Sequence, residues 1–360
     1  MKIGGKDYRT IWFEGKYLKA IDQRFLPFDL RFYDLKSYES AVYAIKEMVV
    51  RGAPLIGVTG AAAVYLLLND IKDGIFNISE FDSKVEMIKE ARPTAINLKW
   101  GVERVISNLK GDLDNKIKIA KDLTNIIADE DVEMCRSIGV HGLKIIRDIY
   151  RRKGDTVNIL THCNAGWLAT VDFGTATSPI YHAVKEGIPV HVWVDETRPR
   201  NQGGKLTAYE LLEEGVKSTL ITDNSGGILM QKGMVDLVIV GSDRTSVNGD
   251  VCNKIGTYLK ALAAYDNKVP FYAALPISTF DLTIKDGVEE IPIENRSESE
   301  ITTIEGVDKE GNIVTTRLTP DKVKVYNPGF DVTPSRLVTG LITDKGLIKP
   351  NREDILRIFK

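Results

Sequence analysis

Residues 156–166 read TVNILTHCNAG, a run of strand-forming side chains that ends in a polar turn. Residues 237–244, LVIVGSDR, repeat that pattern further along the chain. In an open sheet of parallel strands, residues just past the carboxyl ends of neighbouring strands converge on one crevice. The two turns therefore predict that Cys163 and Asp243 share a site, where a thiol and a carboxyl group would supply acid/base chemistry.

The second half of the chain alternates candidate strands with helical segments. The predicted strands are Thr156–Thr161, Val190–Val194, Ser218–Thr222, Leu237–Val240, Phe271–Ala274 and Val323–Tyr326. The helical segments between the first five include Thr177–Glu186, Thr207–Glu214 and Ile255–Tyr265, which are long enough to connect parallel strands. This alternation predicts an α/β fold with a Rossmann-like, doubly wound parallel sheet.

The first half of the chain repeats apolar residues at helical spacing. The predicted helices are Ala41–Val50, Gly57–Asn69, Glu80–Glu90, Ala95–Leu109 and Lys116–Tyr150, and a hairpin of Ile11–Phe13 and Tyr17–Ile21 precedes them. We therefore expect two domains: a mainly helical N-terminal domain with a β-hairpin start, residues 1–150, and a catalytic α/β domain, residues 151–360. The polar segment Asp281–Thr316 is predicted to be an excursion or a partner-facing arm.

The composition limits the function classes. Hydrophobic residues make up 43% of the 360 residues and charged residues 27%, as in ordinary soluble proteins. A net charge of −2 predicts no nucleic-acid or anionic-lipid partner. The chain start lacks a secretory signal, and no window approaches the length of unbroken apolar sequence that a membrane span needs. Cys135, Cys163 and Cys252 form no disulfide framework or CxxC pair, so we expect a cytoplasmic protein with reduced thiols.

Each member of the central pair has a structural and a functional interpretation. Cys163 is either a small buried hydrophobe or a reactive thiolate, favoured by the backbone N–H groups of a turn that opens towards a helix. Asp243 is either a loop carboxylate paired with a neighbouring arginine or a functional group at a strand end. His162 either orients a neighbour or is an ordinary core histidine. The residues by themselves leave these alternatives open.

Three further segments contain groups suited to an anionic ligand. Arg51–Pro54 and the turn Arg92-Pro93-Thr94 each offer a forked guanidinium, although surface capping is the alternative. Asn253 and Lys254 are predicted at a helix start, where free N–H groups bind phosphate. The spacing fits neither a Walker loop nor a GxGxxG turn, which disfavours a dinucleotide cofactor.

Residues 195–203, DETRPRNQG, follow a third strand and bring acids, arginines and an amide to the same face. The acid pair Asp195 and Glu196 lacks a nearby histidine or third carboxylate, so we expect no metal.

Six long motifs resemble those of the methylthioribose-1-phosphate isomerase family. They are Arg51–Gly57, Arg92–Leu98, Thr161–Gly166, Val194–Gly203, Gly241–Tyr258 and Asn327–Pro334, and the resemblance extends from about Leu18 to Asp344. The wider family includes ribose-1,5-bisphosphate isomerases and regulatory subunits of a translation-initiation exchange factor.

The resemblance implies an aldose–ketose conversion of 5-methylthio-D-ribose 1-phosphate in methionine salvage. It further implies a homodimer that needs no metal or organic cofactor. Cys163 and Asp243 match the family's catalytic pair. The implied substrate contacts are Arg51, Gly52, Ala53, Arg92, Gln202, Asn253 and Lys254.

Two other functions stay open from the sequence. One is isomerisation of another phosphorylated pentose, such as ribose 1,5-bisphosphate or 5-deoxyribose 1-phosphate. The other is a non-catalytic regulatory subunit, although the presence of both Cys163 and Asp243 argues against it. In an isomerase we expect Asp243 to protonate the ring oxygen, while Cys163 either removes the C2 proton or assists a hydride shift.

Overall fold

The computed structural model of the chain describes residues 1–92 and 95–360. Pro93 and Thr94, of the predicted arginine turn, lie outside the described residues. The helices are α1 (Tyr38–Lys46), α2 (Ala53–Lys72), α3 (Phe81–Lys89), α4 (Ile96–Ile106), α5 (Leu113–Lys153), α6 (Ser178–Lys185), α7 (Ala208–Glu213), α8 (Ser225–Gln231), α9 (Thr257–Asp266), α10 (Gly287–Glu290), α11 (Ser299–Thr302) and α12 (Arg352–Arg357).

The strands begin with short pairs and continue into the larger sheets. They are β1 (Lys2–Ile3), β2 (Lys6–Asp7), β3 (Ile11–Glu14), β4 (Tyr17–Ile21), β5 (Phe32–Leu35), β6 (Val157–Thr161), β7 (Val190–Asp195), β8 (Ser218–Ile221), β9 (Leu237–Val240), β10 (Arg244–Ser246), β11 (Val251–Lys254), β12 (Phe271–Ala274), β13 (Phe280–Asp281), β14 (Thr303–Val307), β15 (Ile313–Arg317), β16 (Phe330–Thr333), β17 (Gly340–Thr343) and β18 (Gly346–Ile348).

The main sheet has the strand order β18-β17-β12-β9-β6-β7-β8. The strands from β17 to β8 pair in parallel, and β18 adds an antiparallel edge. Alternate side chains of β9 enter different cores: Ile239 packs in the core with α5 and α6, whereas Val238 and Val240 pack in the core with α9. Helices therefore cover both faces, and the predicted doubly wound α/β fold is confirmed.

The N-terminal half is mainly helical and begins with the predicted hairpin. Strands β3 and β4 pair antiparallel, and β5, which the sequence analysis missed, pairs with β4. Helix α2 lies in the centre of this half and is almost wholly buried.

Helix α2 also has the length and composition of a membrane span. Its mean hydropathy is 1.5, but 89% of the apolar window is buried inside the protein, as in the core helix of a globular protein. The expectation that no window approaches that length is therefore wrong, because the helix begins four residues before the predicted segment and ends three after it.

One predicted strand is wrong. Val323–Tyr326 has no regular structure, and Val323 and Tyr326 are exposed. The strand next to β12 in the main sheet is β17 instead. It is buried at every residue because an inner parallel strand is covered on both faces. The sequence analysis also missed α8, whose Gly226 and Gly227 weaken a helical pattern.

The segment Asp281–Thr316 contains two single-turn helices and the antiparallel hairpin of β14 and β15. Every residue of β15 is exposed. Whether this hairpin faces a partner stays a prediction.

Helix α5 is one continuous helix of 41 residues. Its first half packs in the N-terminal core through Ala120 and Ile127, and its second half packs in the sheet core through Ile138 and Ile146. The predicted boundary at residues 150 and 151 falls near its C-terminal end, and that division stays a prediction.

Candidate active site

A cavity lies beyond the carboxyl ends of β6 and β9, which are adjacent parallel strands. The turn after β6 carries Cys163, and the turn after β9 carries Asp243. All the residues that the sequence assigned to the site line this cavity: Cys163, Asp243, Arg51, Gly52, Ala53, Arg92, Gln202, Asn253 and Lys254.

Cys163 is held in an unusual conformation by three hydrogen bonds. Its φ of 66° lies in the left-handed region, which a non-glycine residue adopts at a cost unless its surroundings impose it. The backbone N–H donates to Thr197 Oγ1 at 2.8 Å, and the carbonyl accepts from Thr207 Oγ1 at 2.7 Å. The thiol donates to Gln202 Oε1 at 3.3 Å. These contacts fix the thiol at the cavity wall.

Burial dominates the electrostatic setting of Cys163. Burial raises the pKa of the thiol, and the charges of Lys254 and Arg51 only partly oppose that effect. The carboxyl group of Asp243 raises the pKa further. The backbone N–H of Asn164 does favour the thiolate, as the turn predicts, but burial outweighs it and the site favours the neutral thiol.

Asp243 is held at the opposite turn with a carboxyl group that retains its proton more readily than usual. Its backbone N–H donates to the carbonyl of Cys252 at 2.9 Å. Burial raises the pKa of the carboxyl, while Lys254, Arg92 and Arg51 oppose the effect. A carboxyl group of this kind is suited to general-acid chemistry.

Four cationic side chains line the cavity, namely Arg51, Arg92, Lys254 and Arg244, the last of which lies 3.7 Å from Asp281 Oδ2. Arg51 is buried and donates from Nη2 to the carbonyl of Asn164 at 2.6 Å and from Nη1 to Asn164 Oδ1. Lys254 is also buried, with Nζ 4.5 Å from the ring centroid of Phe330. Burial lowers the pKa of Lys254, Arg51 and Arg92, so bringing an anion into the cavity would stabilise their charged forms. This wall can bind a phosphate group.

The predicted helix start at Asn253 and Lys254 is wrong. Both residues lie in β11, and α9 begins at Thr257. The first N–H groups of α9 are already bound, because Gly256 and Tyr258 donate to the two oxygens of Asp331 at 2.7 and 3.1 Å. A carboxylate thus caps this helix, and Lys254 contributes an ammonium group from a strand instead.

Gly52 permits the close approach of α2 to the loop after β6. Its φ is 89°, and a Cβ added there would lie 2.4 Å from the carbonyl oxygen of Ala169. The chain needs glycine at this position for both reasons.

Another part of the cavity wall is apolar. Its apolar lining residues include Pro54, Ile56, Ala95, Pro276, Ile291 and Pro292. The cavity therefore combines a cationic region with apolar side chains that can accommodate an uncharged substituent.

A buried charged cluster lies behind Cys163. Nδ1 of His162 lies 2.8 Å from Asp195 Oδ2, and Nε2 lies 2.8 Å from the carbonyl oxygen of Ile255. Asp223 completes a group of potential metal ligands with His162 and Asp195, so the expectation that Asp195 has neither a histidine nor a further carboxylate nearby is wrong.

This cluster already contains a cation. Lys260 Nζ lies 3.2 Å from Asp195 Oδ2, and it also donates to the carbonyl of Asp223. The Asp223 carboxylate accepts from the backbone N–H groups of Thr197 and Arg198 at 2.7 Å each. We therefore assign the cluster to the support of the Cys163 turn.

Two residues near the site were missed by the sequence analysis. Asn164 was quoted only as part of the turn, yet it binds Arg51 through two oxygens. Glu210 is fully buried in α7 and contacts Asn164. A glutamate within a helical segment carries no signal of this kind, since most are exposed.

Comparison with known proteins places this chain in a family. The profile of the Initiation factor 2 subunit family matches residues 49–350. A curated relative from Rhizobium meliloti (strain 1021), named methylthioribose-1-phosphate isomerase, is 53% identical, and the match covers 100% of this chain and 99% of the relative. The chain belongs to the methylthioribose-1-phosphate isomerase family.

Solved structures agree with this family membership. The 5-methylthioribose 1-phosphate isomerase of Pyrococcus horikoshii OT3 is 38% identical, with a TM-score of 0.84 over 98% of this chain and 96% of that one. A structure from A. fulgidus described as translation initiation factor eIF-2B, subunit delta, is 37% identical, with a TM-score of 0.79 over 98% and 99% of the two chains. The isomerase family thus shares its fold with proteins described as translation factors, as the resemblance of the sequence implied.

Proposed function

We propose that this protein is an aldose–ketose isomerase that converts 5-methylthio-D-ribose 1-phosphate to 5-methylthio-D-ribulose 1-phosphate. The observation that carries the proposal is the shared cavity of Cys163 and Asp243, whose lining also contains four cationic side chains. The full-length relatives of about 50% identity that bear the isomerase name support the choice of substrate.

In this proposal the cationic wall binds the phosphate group. Arg51, Arg92 and Lys254 supply the charges, and Gly52 and Ala53 bring the first turn of α2 close to the substrate. The polar side chains of Gln202 and Asn253 contact the sugar hydroxyl groups.

Asp243 opens the ring. A phosphate on the anomeric oxygen prevents opening by loss of a hydroxyl proton, so the ring oxygen must be protonated instead. Asp243 donates that proton, the bond between C1 and the ring oxygen breaks, and its electron pair stays on the oxygen. The raised pKa of Asp243 supports this role, because it keeps the acid form available at higher pH.

The hydrogen at C2 then moves to the electron-deficient C1. In one route the Cys163 thiolate removes the C2 proton, which forms an enol, and the thiol returns a proton to C1. In the other route the hydrogen moves from C2 to C1 as hydride. In both routes the C2 hydroxyl proton passes to the Asp243 carboxylate, which leaves the ketone and regenerates the acid. The raised pKa of Cys163 favours the hydride route, in which the neutral thiol borders the migrating hydrogen.

The substituent at C5 separates the candidate substrates. A second phosphate needs another cationic pocket, whereas a methylthio group needs apolar contacts. The apolar lining residues, among them Ile56, Pro276 and Ile291, support the methylthio sugar, and the fourth lining cation, Arg244, is paired with Asp281 at 3.7 Å.

The test is turnover of three sugars by the purified protein. Ketose formation from 5-methylthioribose 1-phosphate, 5-deoxyribose 1-phosphate and ribose 1,5-bisphosphate is followed by NMR. We expect the largest kcat/KM with the methylthio sugar. Absence of ketose from all three would contradict the proposal and would support a non-catalytic subunit. In deuterated water, product without deuterium at C1 is expected for the hydride route.

We also propose that the enzyme is a homodimer that acts in the cytoplasm, in methionine salvage. The three cysteines are free and buried, which fits a reducing compartment. The names of the relatives support the pathway. Light scattering coupled to size-exclusion chromatography tests the dimer, and a monomeric mass would contradict it.

A further inference from the structure

The carboxylate of Glu210 is buried and accepts four hydrogen bonds. Oε1 accepts from Asn164 Nδ2 at 3.0 Å and from the backbone N–H of Leu168 at 2.8 Å. Oε2 accepts from the backbone N–H of Trp167 at 3.1 Å and from the hydroxyl of Tyr181 at 3.3 Å. Two donors on each oxygen is the arrangement that an ionised carboxylate satisfies.

The side chain of Asn164 links this carboxylate to the cavity. Its Nδ2 points to Glu210 and to Thr207 Oγ1, which lies at 3.1 Å, while its Oδ1 accepts from Arg51 Nη1. The Asn164 carbonyl oxygen accepts a second bond from the same guanidinium. Arg51 therefore rests on two oxygens of one residue.

We propose that Glu210 is a positioning residue that orients the Asn164 amide and thereby holds Arg51 in place to bind the phosphate group of the substrate. The phosphate-binding role of Arg51 rests on the proposed function. Glu210 itself is absent from the described residues that line the cavity, so it acts through Asn164.

The chemistry of the amide explains why Glu210 is needed. An asparagine side chain can turn over and exchange its donor and acceptor ends. The exchanged amide would direct its NH2 group at the Arg51 guanidinium, where two donors would face each other. The Glu210 carboxylate accepts only from the NH2 end, and so it selects the orientation in which Oδ1 faces Arg51.

The local sequence makes room for this contact. A Cβ added at Gly166 would lie 1.6 Å from Glu210 Oε2, so only glycine leaves space for the carboxylate beside the turn. Burial raises the pKa of Glu210 to about 7, so the carboxylate is mainly ionised at pH 8, and its charge opposes the lowering of the Arg51 pKa by burial. Glu210 thus supports both the position and the charge of the guanidinium.

The primary test is the kinetic effect of E210Q at pH 8. A glutamine offers one acceptor oxygen instead of two, so the four donors can no longer all be satisfied. We expect KM for 5-methylthioribose 1-phosphate to rise about tenfold while kcat changes less than about threefold, because substrate binding loses an oriented cation. E213Q, on the same helix, is the matched control, because Glu213 accepts from the Gly4 N–H outside the cavity. The KM of the E213Q variant should equal that of the wild type.

A double variant tests the route through Asn164. N164S removes the amide but leaves the backbone contacts of Glu210, and it should raise KM by a similar factor. The double variant N164S/E210Q should be no worse than the worse single variant, because both substitutions break one connection. The proposal would be overturned if the increase in KM of the double variant equalled the product of the two single increases. It would also be overturned if KM were unchanged in either single variant, or if only kcat fell. If E210Q does not fold, an unchanged KM in N164S still overturns it.

Failure of the proposed function is distinguishable from failure of this inference. If the wild-type protein converts none of the three sugars, the crystal structures of the wild-type protein and E210Q decide the matter. Displacement of the Arg51 guanidinium from Asn164 in the variant alone supports the positioning role. A guanidinium that still contacts both Asn164 oxygens in E210Q overturns it.

Discussion

Gln202 accepts a hydrogen bond from the Cys163 thiol, with the sulphur 3.3 Å from the amide Oε1. The short π-helical turn that follows Gln202, Gly203–Thr207, ends at the threonine whose hydroxyl donates to the Cys163 carbonyl. One segment therefore fixes Cys163 at its side chain and at its backbone. In the proposed mechanism, a sulphur held in this way is ordered before substrate arrives, which lowers the cost of organising the transition state.

Replacing the sulphur should impair the chemical step. We expect C163S to lower kcat at least about 100-fold and to change KM less than about threefold, because serine keeps the hydrogen bond but not the large, weakly solvated sulphur. Steady-state kinetics with the methylthio sugar measures both constants. C135A is the control, since Cys135 is buried in α5 outside the cavity. Full activity in C163S would remove Cys163 from the mechanism.

Loss of the acid should slow ring opening strongly. We expect D243N to lower kcat by about 10²–10⁴-fold with substrate binding retained. Wild-type kcat should fall as pH rises through the pKa of Asp243, because the acid form does the work and burial raises that pKa. D308N, in the exposed turn between β14 and β15, provides the control. A D243N enzyme with normal turnover would refute the assignment.

The ammonium group of Lys254 should matter for binding more than for chemistry. We expect K254M to raise KM about tenfold or more, because the variant retains the apolar contact with Phe330 but loses the charge. The effect should shrink for a substrate analogue without phosphate. K309M, at an exposed position of the hairpin, should behave like the wild-type enzyme. Equal KM values for K254M and the wild type would exclude a phosphate contact.

Asp131 should make stability depend on pH. It is buried in α5, accepts from the Val171 N–H at 2.7 Å, and burial raises its pKa to about 7. The folded state thus holds a proton that the unfolded chain, with an ordinary pKa of about 3.9, has already lost. The contribution of Asp131 to the free energy of unfolding is therefore greatest below about pH 4 and declines as pH rises through about 7.

D131N removes this titration. The free energy of unfolding of D131N minus that of the wild type should increase by about 1–3 kcal/mol as the pH is raised from 5 to 8. Urea unfolding at the two pH values measures the difference, with the exposed Asp129 as control in D129N. Parallel pH dependence in D131N and the wild type would show that Asp131 is not the titrating group.

The elements that the sequence predicted correctly are those that are buried along nearly their whole length. Strand β9 is buried at every residue and α2 almost throughout, so their patterns were readable from the chain. Strand β11 was not predicted, because it forms by pairing with β16, for example Lys254 with Phe330, and these residues are far apart in the sequence. No local pattern distinguishes such a strand from the first turn of the helix that follows it.

The same distinction applies to the candidate site. Cys163 and Asp243 were found because they follow neighbouring strands, and that rule depends only on topology. Glu210 was not found, because its importance comes from the turn at Gly166 that packs against it. Its own helical segment looks like any solvated helix.

The long helix α5 has a consequence for attempts to divide the protein. At 41 residues it extends about 60 Å, and its second half supplies Leu143 and Ile149 to the core beneath the sheet. A fragment that begins at residue 151 would lack this cover and would present the apolar side chains of Val157 and Ile159 to water. Such a fragment should aggregate rather than fold, and the intact chain should melt in one cooperative transition.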